Sequence, residues 1–167
     1  SSEAYGESVA QLIGETNFTL LEVAVKQGAK LEQGERAYIG KGERDKIDHI
    51  KRRVKYVPVP SIKRIGPKTI TPESMQWIEQ STFDAAAKVM TFENVPTHPK
   101  VRAQMTNRGK LEFRALGPGR TERIMSGELK IAFPILGRIA EGIIEKSAKA
   151  IITEEAGLLA EWLETHP

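Results

Sequence analysis

The sequence predicts an α+β protein in which a curved antiparallel sheet has a long C-terminal helix packed across it, preceded by a small three-stranded β segment. Two patterns support this. Beyond residue 75, short segments of alternating apolar and polar residues are separated by glycine-containing turns. The last thirty residues instead carry apolar side chains at helical spacing. With 167 residues, 40% of them apolar, the chain can bury a substantial core.

Composition excludes several classes of protein. No run approaches the roughly 18 consecutive apolar residues of a membrane-spanning helix, and the polar, acidic start SSEAYGESVAQ does not resemble a signal peptide. The absence of cysteine rules out disulfides, thiolate metal sites and cysteine nucleophiles. We therefore expect a protein of the cytoplasm without a transmembrane segment.

The first forty residues predict three short strands, and a helix is expected after them. The strands are separated by glycine and asparagine, and they read SVAQLIGE, NFTLLEVAV and ERAYIG. The spacing of Ile47, Ile50 and Val54 in GKGERDKIDHIKRRV then fits a helix. The two glycines before it could present amides to a phosphate, although a turn that needs glycine dihedrals explains them more simply.

The stretch SIKRIGPKTI has two interpretations. It resembles the tight turn of a helix-hairpin-helix, a module that binds the nucleic-acid backbone, but Arg64 occupies the place of the expected first glycine. The surrounding Pro58, Pro60, Pro67 and Pro72 oppose a regular helix because each removes a backbone donor. The pattern favours an extended strand and a turn.

Five further strands are predicted beyond residue 75, with GPGRT as a hairpin turn and a bend at Ser126-Gly127. Their sequences are MQWIEQSTFD, AAKVMTFENV, KVRAQMTNRG, GKLEFRALG and TERIMSGELKIAF.

The segment ILGRIAEGIIEKSAKAIITEEAGLLAEWLE predicts the long helix. Gly142 and Gly157 within it suggest a close approach to another element or a local bend. Its apolar stripe comprises Ile139, Ile143, Ile144, Ala148, Ile151, Ile152, Leu158, Leu159, Trp162 and Leu163.

Positive charge is concentrated between Arg36 and Lys68, where eleven basic residues stand against three acidic ones. This segment carries +8, so the rest of the chain carries −5. Such a cluster is typical of a polyanion-binding face, although a solvated face is the commoner cause, and an acidic membrane surface or the acidic remainder of the chain could also pair with it. The candidates for contacts with RNA or single-stranded DNA are Lys41, Arg44, Lys51, Arg52 and Arg53.

The sequence offers little for catalysis. His49, His98 and His166 lie apart, without a carboxylate at metal-ligand spacing, and MSGEL carries a serine with no evident base. We expect no metal, no cofactor and no enzymatic activity.

Two resemblances cover different parts of the chain. Residues from about 54 onward resemble a bacterial branch of the START-like (SRPBCC), helix-grip superfamily, through RRVKYVPVPSI, ITPESMQWIEQSTFD, GPGRTERIMSGELKIAFPILGRIAEGIIEK and LLAEWL. The resemblance implies a cavity between sheet and helix for a lipid or other hydrophobic ligand, although the same side chains could simply fill a core. The residues expected to line it are Trp77, Phe92, Met105, Phe113, Met125, Ile139 and Ile143.

Residues from about 8 to 56, with LIGETNFTLLEV and ERAYIGKGERDKIDHIKRRVKY, resemble the N-terminal OB-like barrel of an uncharacterised archaeal family associated with nucleic-acid binding. This resemblance implies a nucleic-acid-binding surface. Because the two patterns meet near IKRRVKY, we predict domains at 1–50 and 51–167 in a mosaic, either a natural fusion or a constructed chimera. Three hypotheses follow: a non-enzymatic module for a hydrophobic small molecule or lipid, a nucleic-acid-binding protein that uses the N-terminal barrel and segment 36–68, and a recombinant chain without evolved activity. The oligomeric state stays open.

Overall fold

The computed structural model describes residues 30–31, 34–38, 43–46, 49–58, 63–133 and 136–165. Its α-helices within these ranges are α1 (Pro99–Arg102) and α2 (Leu136–Thr165), and a 3₁₀ turn spans Pro72–Met75. The strands are β1 (Lys30–Leu31), β2 (Gly34–Tyr38), β3 (Glu43–Lys46), β4 (His49–Pro58), β5 (Arg64–Ile65), β6 (Lys68–Thr69), β7 (Trp77–Asp84), β8 (Val89–Pro96), β9 (Met105–Gly117) and β10 (Arg120–Ile131).

Eight of these strands form one antiparallel sheet. Its order is β1-β2-β4-β7-β8-β9-β10, and β3 also pairs with β4. The strands β5 and β6 form a separate small hairpin. The predicted α+β class, with a curved antiparallel sheet and the long helix packed across it, is confirmed.

Strict alternation along the strands divides the sheet into two faces. On β4, Arg52, Val54 and Tyr56 are buried, whereas Lys51 and Arg53 are exposed. We call the buried side the inner face and the opposite side the outer face. Side chains paired across antiparallel strands point the same way, so strand register assigns each position to a face. The core on the inner face consists of Val54, Tyr56, Phe83, Met90, Phe92, Leu111 and Phe113, with Ala85 and Leu159 added from outside the strands.

The helix α2 lies against the inner face along β10. Arg123 Nη2 donates to the carbonyl oxygen of Ile152 at 3.3 Å, and the backbone amide of Ile131 donates to Glu141 Oε1 at 2.8 Å. Since β10 is an edge strand of the sheet, the hydrogen bond to Glu141 satisfies a backbone amide at the sheet edge. Leu159 supplies a buried side chain from the C-terminal part of α2.

The close approach that was expected at Gly142 or Gly157 of α2 lies at a different glycine. A Cβ on Gly142 or Gly157 would meet nothing within 4 Å, so close approach does not explain either residue. The close approach occurs at Gly137, which is buried and whose Cβ would meet the carbonyl oxygen of Ile131 at 2.5 Å.

The turn in SIKRIGPKTI is a β-hairpin. Ile65 pairs with Lys68 across the two-residue turn Gly66-Pro67, and Gly66 has φ 57°. A positive φ followed by proline fits a type II′ turn, whose first central position favours glycine. The interpretation as a strand and turn is confirmed, and the helix-hairpin-helix interpretation is wrong here. The Nζ atom of Lys68 lies 4.1 Å from the ring centroid of Phe133, which joins this hairpin to the end of β10.

The GPGRT hairpin turn is also confirmed. Gly117 pairs with Arg120 around Pro118-Gly119, and Gly119 has φ 65°. Proline followed by a glycine with positive φ is typical of a type II turn.

Two parts of the predicted order of elements were wrong. Where a helix was expected in GKGERDKIDHIKRRV, the described residues form the β3–β4 pair. Burial on β4 alternates from residue to residue, as in a strand, and one of its buried positions is an arginine, Arg52. The strands expected in KVRAQMTNRG and GKLEFRALG are one short helix, α1, followed by the single long strand β9. The prediction counted an extra break where Gly109 lies within β9.

The first two predicted strands, SVAQLIGE and NFTLLEVAV, lie outside the described residues, whereas ERAYIG corresponds to β2. The strands β2 and β3 pair with β4 in the main sheet. The division into domains 1–50 and 51–167 stays a prediction.

Candidate ligand-binding face

A polar cluster lies on the inner face around the carboxylate of Glu79. Arg52 Nη2 lies 3.1 Å from Glu79 Oε1, and Ser81 Oγ donates to the same oxygen at 3.0 Å. The hydroxyl of Tyr56 donates to Glu79 Oε2 at 3.4 Å. The Arg52 and Glu79 side chains are only 3% and 14% exposed. Three donors on one carboxylate, nearly removed from water, make this a structured ionic centre.

Strand pairing places these four residues together. Arg52 pairs with Ser81 and Val54 pairs with Glu79 across β4 and β7, so Arg52 and Tyr56 are the two diagonal neighbours of Glu79. Diagonal positions are within reach of long side chains. The cluster therefore depends only on the register of two adjacent strands and on their common inward direction.

An aromatic pair continues the cluster along the sheet. The rings of Tyr56 and Trp77 are stacked with centroids 4.8 Å apart and an interplanar angle of 5°. Tyr56 is buried, while Trp77 is half-buried. On the other side Phe92 is buried opposite Ser81, and its ring covers Gly109, where a Cβ would lie 2.9 Å from Phe92 Cζ.

An apolar cluster closes the end of the inner face nearest the β7–β8 hairpin. Phe83 and Phe113 meet edge to face, with centroids 6.0 Å apart and planes at 89°. Ala85, Met90 and Leu111 complete the cluster. These residues are at most 7% exposed, so this end is packed core.

The inner face is open at the middle of β10. Met125 pairs with the buried Leu111 and therefore points inward, yet it is 42% exposed. The contacts of α2 with β10 at Arg123 and at Ile131 lie on either side of this place. An inward side chain that stays accessible between two contacts of the covering helix marks an opening to the inner face.

Polar atoms without a hydrogen bond also occur on this face. Within the described residues no group donates to Asn94 Oδ1 or to Thr121 Oγ1, although both atoms are buried. Asn94 pairs with Glu79 and Thr121 with Ala115, so both point inward. Buried polar atoms of this kind require an explanation such as a bound molecule.

The outer face has a different character. Its ion pairs are exposed: Arg108 lies 3.4 Å from Glu128, and Glu112 lies between Lys110 at 3.2 Å and Arg114 at 3.6 Å. The hydrogen bond from Lys110, aided by the charges of both cations, lowers the pKa of Glu112 against a smaller opposing effect of desolvation. A shallow depression of about 640 Å³ lies over this part of the sheet, with Gly109 and Gly127 among its lining residues.

The structure brings together only part of the predicted ligand-binding set. Trp77, Phe92, Phe113 and Met125 share the inner face, and Met105 pairs with the inward Ile131 at the start of β9. Ile143 is half-buried on α2. Ile139 is 53% exposed, which places it outside the buried stripe of the helix.

The predicted nucleic-acid residues are divided between the faces. Lys51 and Arg53 are exposed on the outer face, and Arg52 is buried on the inner face against Glu79. Arg44 belongs to β3, and Lys41 lies outside the described residues. The sequence pattern missed the polar cluster because Arg52 was grouped by charge with its neighbours. The alternation of Arg52, Val54 and Tyr56 was the signal that could have identified it.

The described residues offer neither a metal centre nor a membrane-spanning helix. Among them, no group of three or more histidine, aspartate or glutamate side chains is arranged to hold a metal ion. No helix in the same part of the chain is long and apolar enough to cross a bilayer.

Known proteins resemble this chain in two ways: in the sequence of its N-terminal part and in its fold. A family model described as "Protein of unknown function (DUF655)" matches residues 2–77. An uncharacterised protein of Methanocaldococcus jannaschii is 52% identical over 50 residues, which are 30% of this chain and 23% of that protein. The chain thus spans less than a quarter of the length of this relative. The predicted resemblance to an uncharacterised archaeal protein is confirmed at this level.

One of the matching solved structures shows the fold. The ZhuI aromatase/cyclase of Streptomyces sp. R1128 matches with a TM-score of 0.53 and 13% identity, over 91% of this chain and 85% of that one. TTHA0849 of Thermus thermophilus matches with a TM-score of 0.45 and 17% identity, over 96% and 87% of the two chains. The first match confirms the helix-grip arrangement. The ZhuI match leaves only about a tenth of the chain uncovered, so it must include much of the segment that the family model matches. The comparisons therefore give no support to a constructed chimera.

Proposed function

We propose that this chain is a non-enzymatic binding module for a hydrophobic small molecule or lipid, held between the inner face of the sheet and α2. The observation that carries the proposal is the exposure of Met125, an inward-pointing residue, between the two contacts of α2 with β10. A fully packed interior would bury this side chain.

The surroundings of the opening support the proposal. From Met125 towards β4, the inner face carries Leu111, Phe92 and the Tyr56–Trp77 pair. The ionic cluster at Glu79 is the polar centre of this surface. Small-molecule sites are generally apolar with a few fixed polar groups. The helix-grip neighbour named as an aromatase/cyclase shares this arrangement of sheet and helix, which adds support at the level of fold alone.

The test is titration with N-phenyl-1-naphthylamine, an uncharged probe whose emission rises in apolar surroundings. We expect saturable enhancement in the native chain, displacement by at least one class of compound among fatty acids, phospholipids and uncharged aromatic compounds, and at least tenfold weaker binding in Met125→Arg. The control is Leu116→Arg, which alters a residue of β9 that is 53% exposed. The proposal fails if the probe does not bind, or if both variants reduce binding equally.

A second candidate function is nucleic-acid binding by the outer face of β4. Arg53 and Lys55 occupy alternate positions of this strand, and their partners on β7, Gln80 and Ile78, carry no charge. Lys51 extends the row by one position but lies opposite Glu43 of β3, so Arg53 and Lys55 are the better candidates for phosphate contacts. Cations at strand spacing, with uncharged neighbours on β7, suit phosphate contacts.

Fluorescence anisotropy with single-stranded RNA and DNA at two salt concentrations tests this candidate. Binding should weaken as salt rises, and Arg53→Glu should reduce it more than Arg114→Glu, because Arg114 is already paired with Glu112 on the same face. No binding at low salt would exclude the candidate.

A further inference from the structure

The unbonded oxygen of Asn94 indicates what kind of ligand the inner face selects, an inference that rests on the proposed function. Asn94 Oδ1 is buried and receives no hydrogen bond within the described residues. A buried acceptor left without a donor destabilises the folded state, because it has lost its hydrogen bonds to water and gained none in return. A bound molecule that supplies a donor would remove this cost.

The cross-strand neighbour of Asn94 strengthens the argument. Glu79 pairs directly with Asn94 across β7 and β8. The Glu79 carboxylate already accepts from three side chains, so the acceptor left for a ligand is Asn94 Oδ1, which lies beside a negative charge. Such an arrangement attracts a hydroxyl or N–H group and repels another acceptor.

The same cluster disfavours an anionic ligand. Arg52 is already paired with Glu79 at 3.1 Å, and Arg123 donates to the carbonyl oxygen of Ile152 on α2. A ligand carboxylate at Asn94 would lie beside the carboxylate of Glu79. Both groups are negatively charged, and like charges repel strongly in a region of low exposure.

We propose that Asn94 is a specificity-determining residue that selects an uncharged hydrophobic molecule with a hydroxyl or N–H group over its ether and carboxylate analogues. The donor binds Asn94 Oδ1, and the apolar body lies against Phe92 and the half-buried Trp77. The ligand class is therefore an alcohol, phenol or aromatic amine with an apolar skeleton. A fatty acid does not fit this class.

Three compounds of one shape test the proposal: 2-naphthol, 2-methoxynaphthalene and 2-naphthoate, each measured by displacement of N-phenyl-1-naphthylamine. In the native chain 2-naphthol should bind about tenfold more tightly than the methyl ether, the ratio expected for one hydrogen bond of about 1.4 kcal/mol. The naphthoate should bind most weakly. Asn94→Leu should abolish the preference by weakening 2-naphthol without weakening the methyl ether. Because the probe carries an N–H group of its own, its dissociation constant is measured for each variant and used to convert displacement into affinity.

The controls separate this proposal from the function on which it rests. Gln80→Leu alters an exposed outer-face residue and should leave the tenfold ratio unchanged. Binding of all three compounds without a donor preference, or a preference that survives Asn94→Leu, overturns the role of Asn94 and leaves the binding module standing. Failure of every compound and of the probe to bind overturns both. Asn94→Leu should also raise the melting temperature of the unliganded chain, since it removes an unsatisfied buried group, which verifies that the variant folds.

Discussion

The two faces of the sheet carry the same kinds of charged residues with opposite consequences. On the inner face Arg52 and Glu79 form an ion pair almost removed from water, with Tyr56 and Ser81 as additional donors. On the outer face Arg108 and Glu128 form a pair of similar length in which both side chains are more than half exposed. Adjacent residues of one strand, Arg52 and Arg53, thus have different physical roles. Burial decides which arginine is held in an ion pair and which stays accessible to solvent.

The largest expected effect is the loss of Glu79. Glu79→Ala should destabilise the fold by about 3–5 kcal/mol because it leaves the Arg52 guanidinium buried without its carboxylate, whereas Glu128→Ala should cost at most about 1 kcal/mol. Urea denaturation measures both. The double variant Arg52→Met/Glu79→Leu should recover part of the loss, since an apolar pair of similar volume needs no charge compensation, whereas the buried hydroxyls of Tyr56 and Ser81 still lose their acceptor. Equal costs for the two glutamate variants would contradict the distinction between the faces.

A smaller loss is expected at the paired glycines of β9 and β10. In Gly109→Ala the new Cβ would lie 2.9 Å from both Gly127 Cα and Phe92 Cζ, and closer still to the Ser126 carbonyl oxygen. Overpacking of this kind typically costs about 1–3 kcal/mol. Ser126→Ala, on the exposed outer side of the same place, should change the free energy of unfolding little. A neutral Gly109→Ala would show that the two strands are not so closely apposed.

The glycines of α2 should respond according to the side they occupy. Gly142→Ala and Gly157→Ala should each stabilise the protein by up to about 1 kcal/mol, because their surroundings are open and alanine has the higher helix propensity. Gly137→Ala should instead lower stability, since its Cβ would meet the carbonyl oxygen of Ile131. Thermal melts of the three variants provide the measurement. Stabilisation by all three would place the start of α2 away from β10.

The smallest effect concerns a surface pair on α2. The hydrogen bond and charge of Lys149, 2.7 Å from Glu145, lower the pKa of that carboxyl. A lowered folded-state pKa stabilises the protein above the pKa of the unfolded chain, and this contribution is lost as the pH falls through the folded-state pKa. Lys149→Ala should therefore raise the pKa of Glu145 towards its ordinary value and leave that of Glu112 unchanged. Carboxyl chemical shifts recorded against pH would reveal either result, and an unmoved Glu145 would contradict the pairing.

Local patterns predicted the sheet, its glycine turns and the long helix because each depends on short-range periodicity or on a required dihedral angle. The apolar stripe of α2 and the turn Pro118-Gly119 are examples. The strand β4 was missed because an inward arginine breaks the apolar alternation that identifies a strand. Its partner Glu79 lies 27 residues away, and only strand register brings the two together. The same limit explains Ile139, whose side of the helix depends on where α2 meets β10.

The most direct test of ligand binding at the inner face uses the absence of cysteine from the chain. Met125→Cys places a single thiol at the proposed opening, and its rate of reaction with a maleimide can be followed with and without saturating N-phenyl-1-naphthylamine. Leu116→Cys is the control, because Leu116 is exposed near the β9–β10 turn. We predict that the probe slows modification at position 125 severalfold and leaves position 116 unaffected. Equal rates at position 125 with and without bound probe would contradict binding between the sheet and α2.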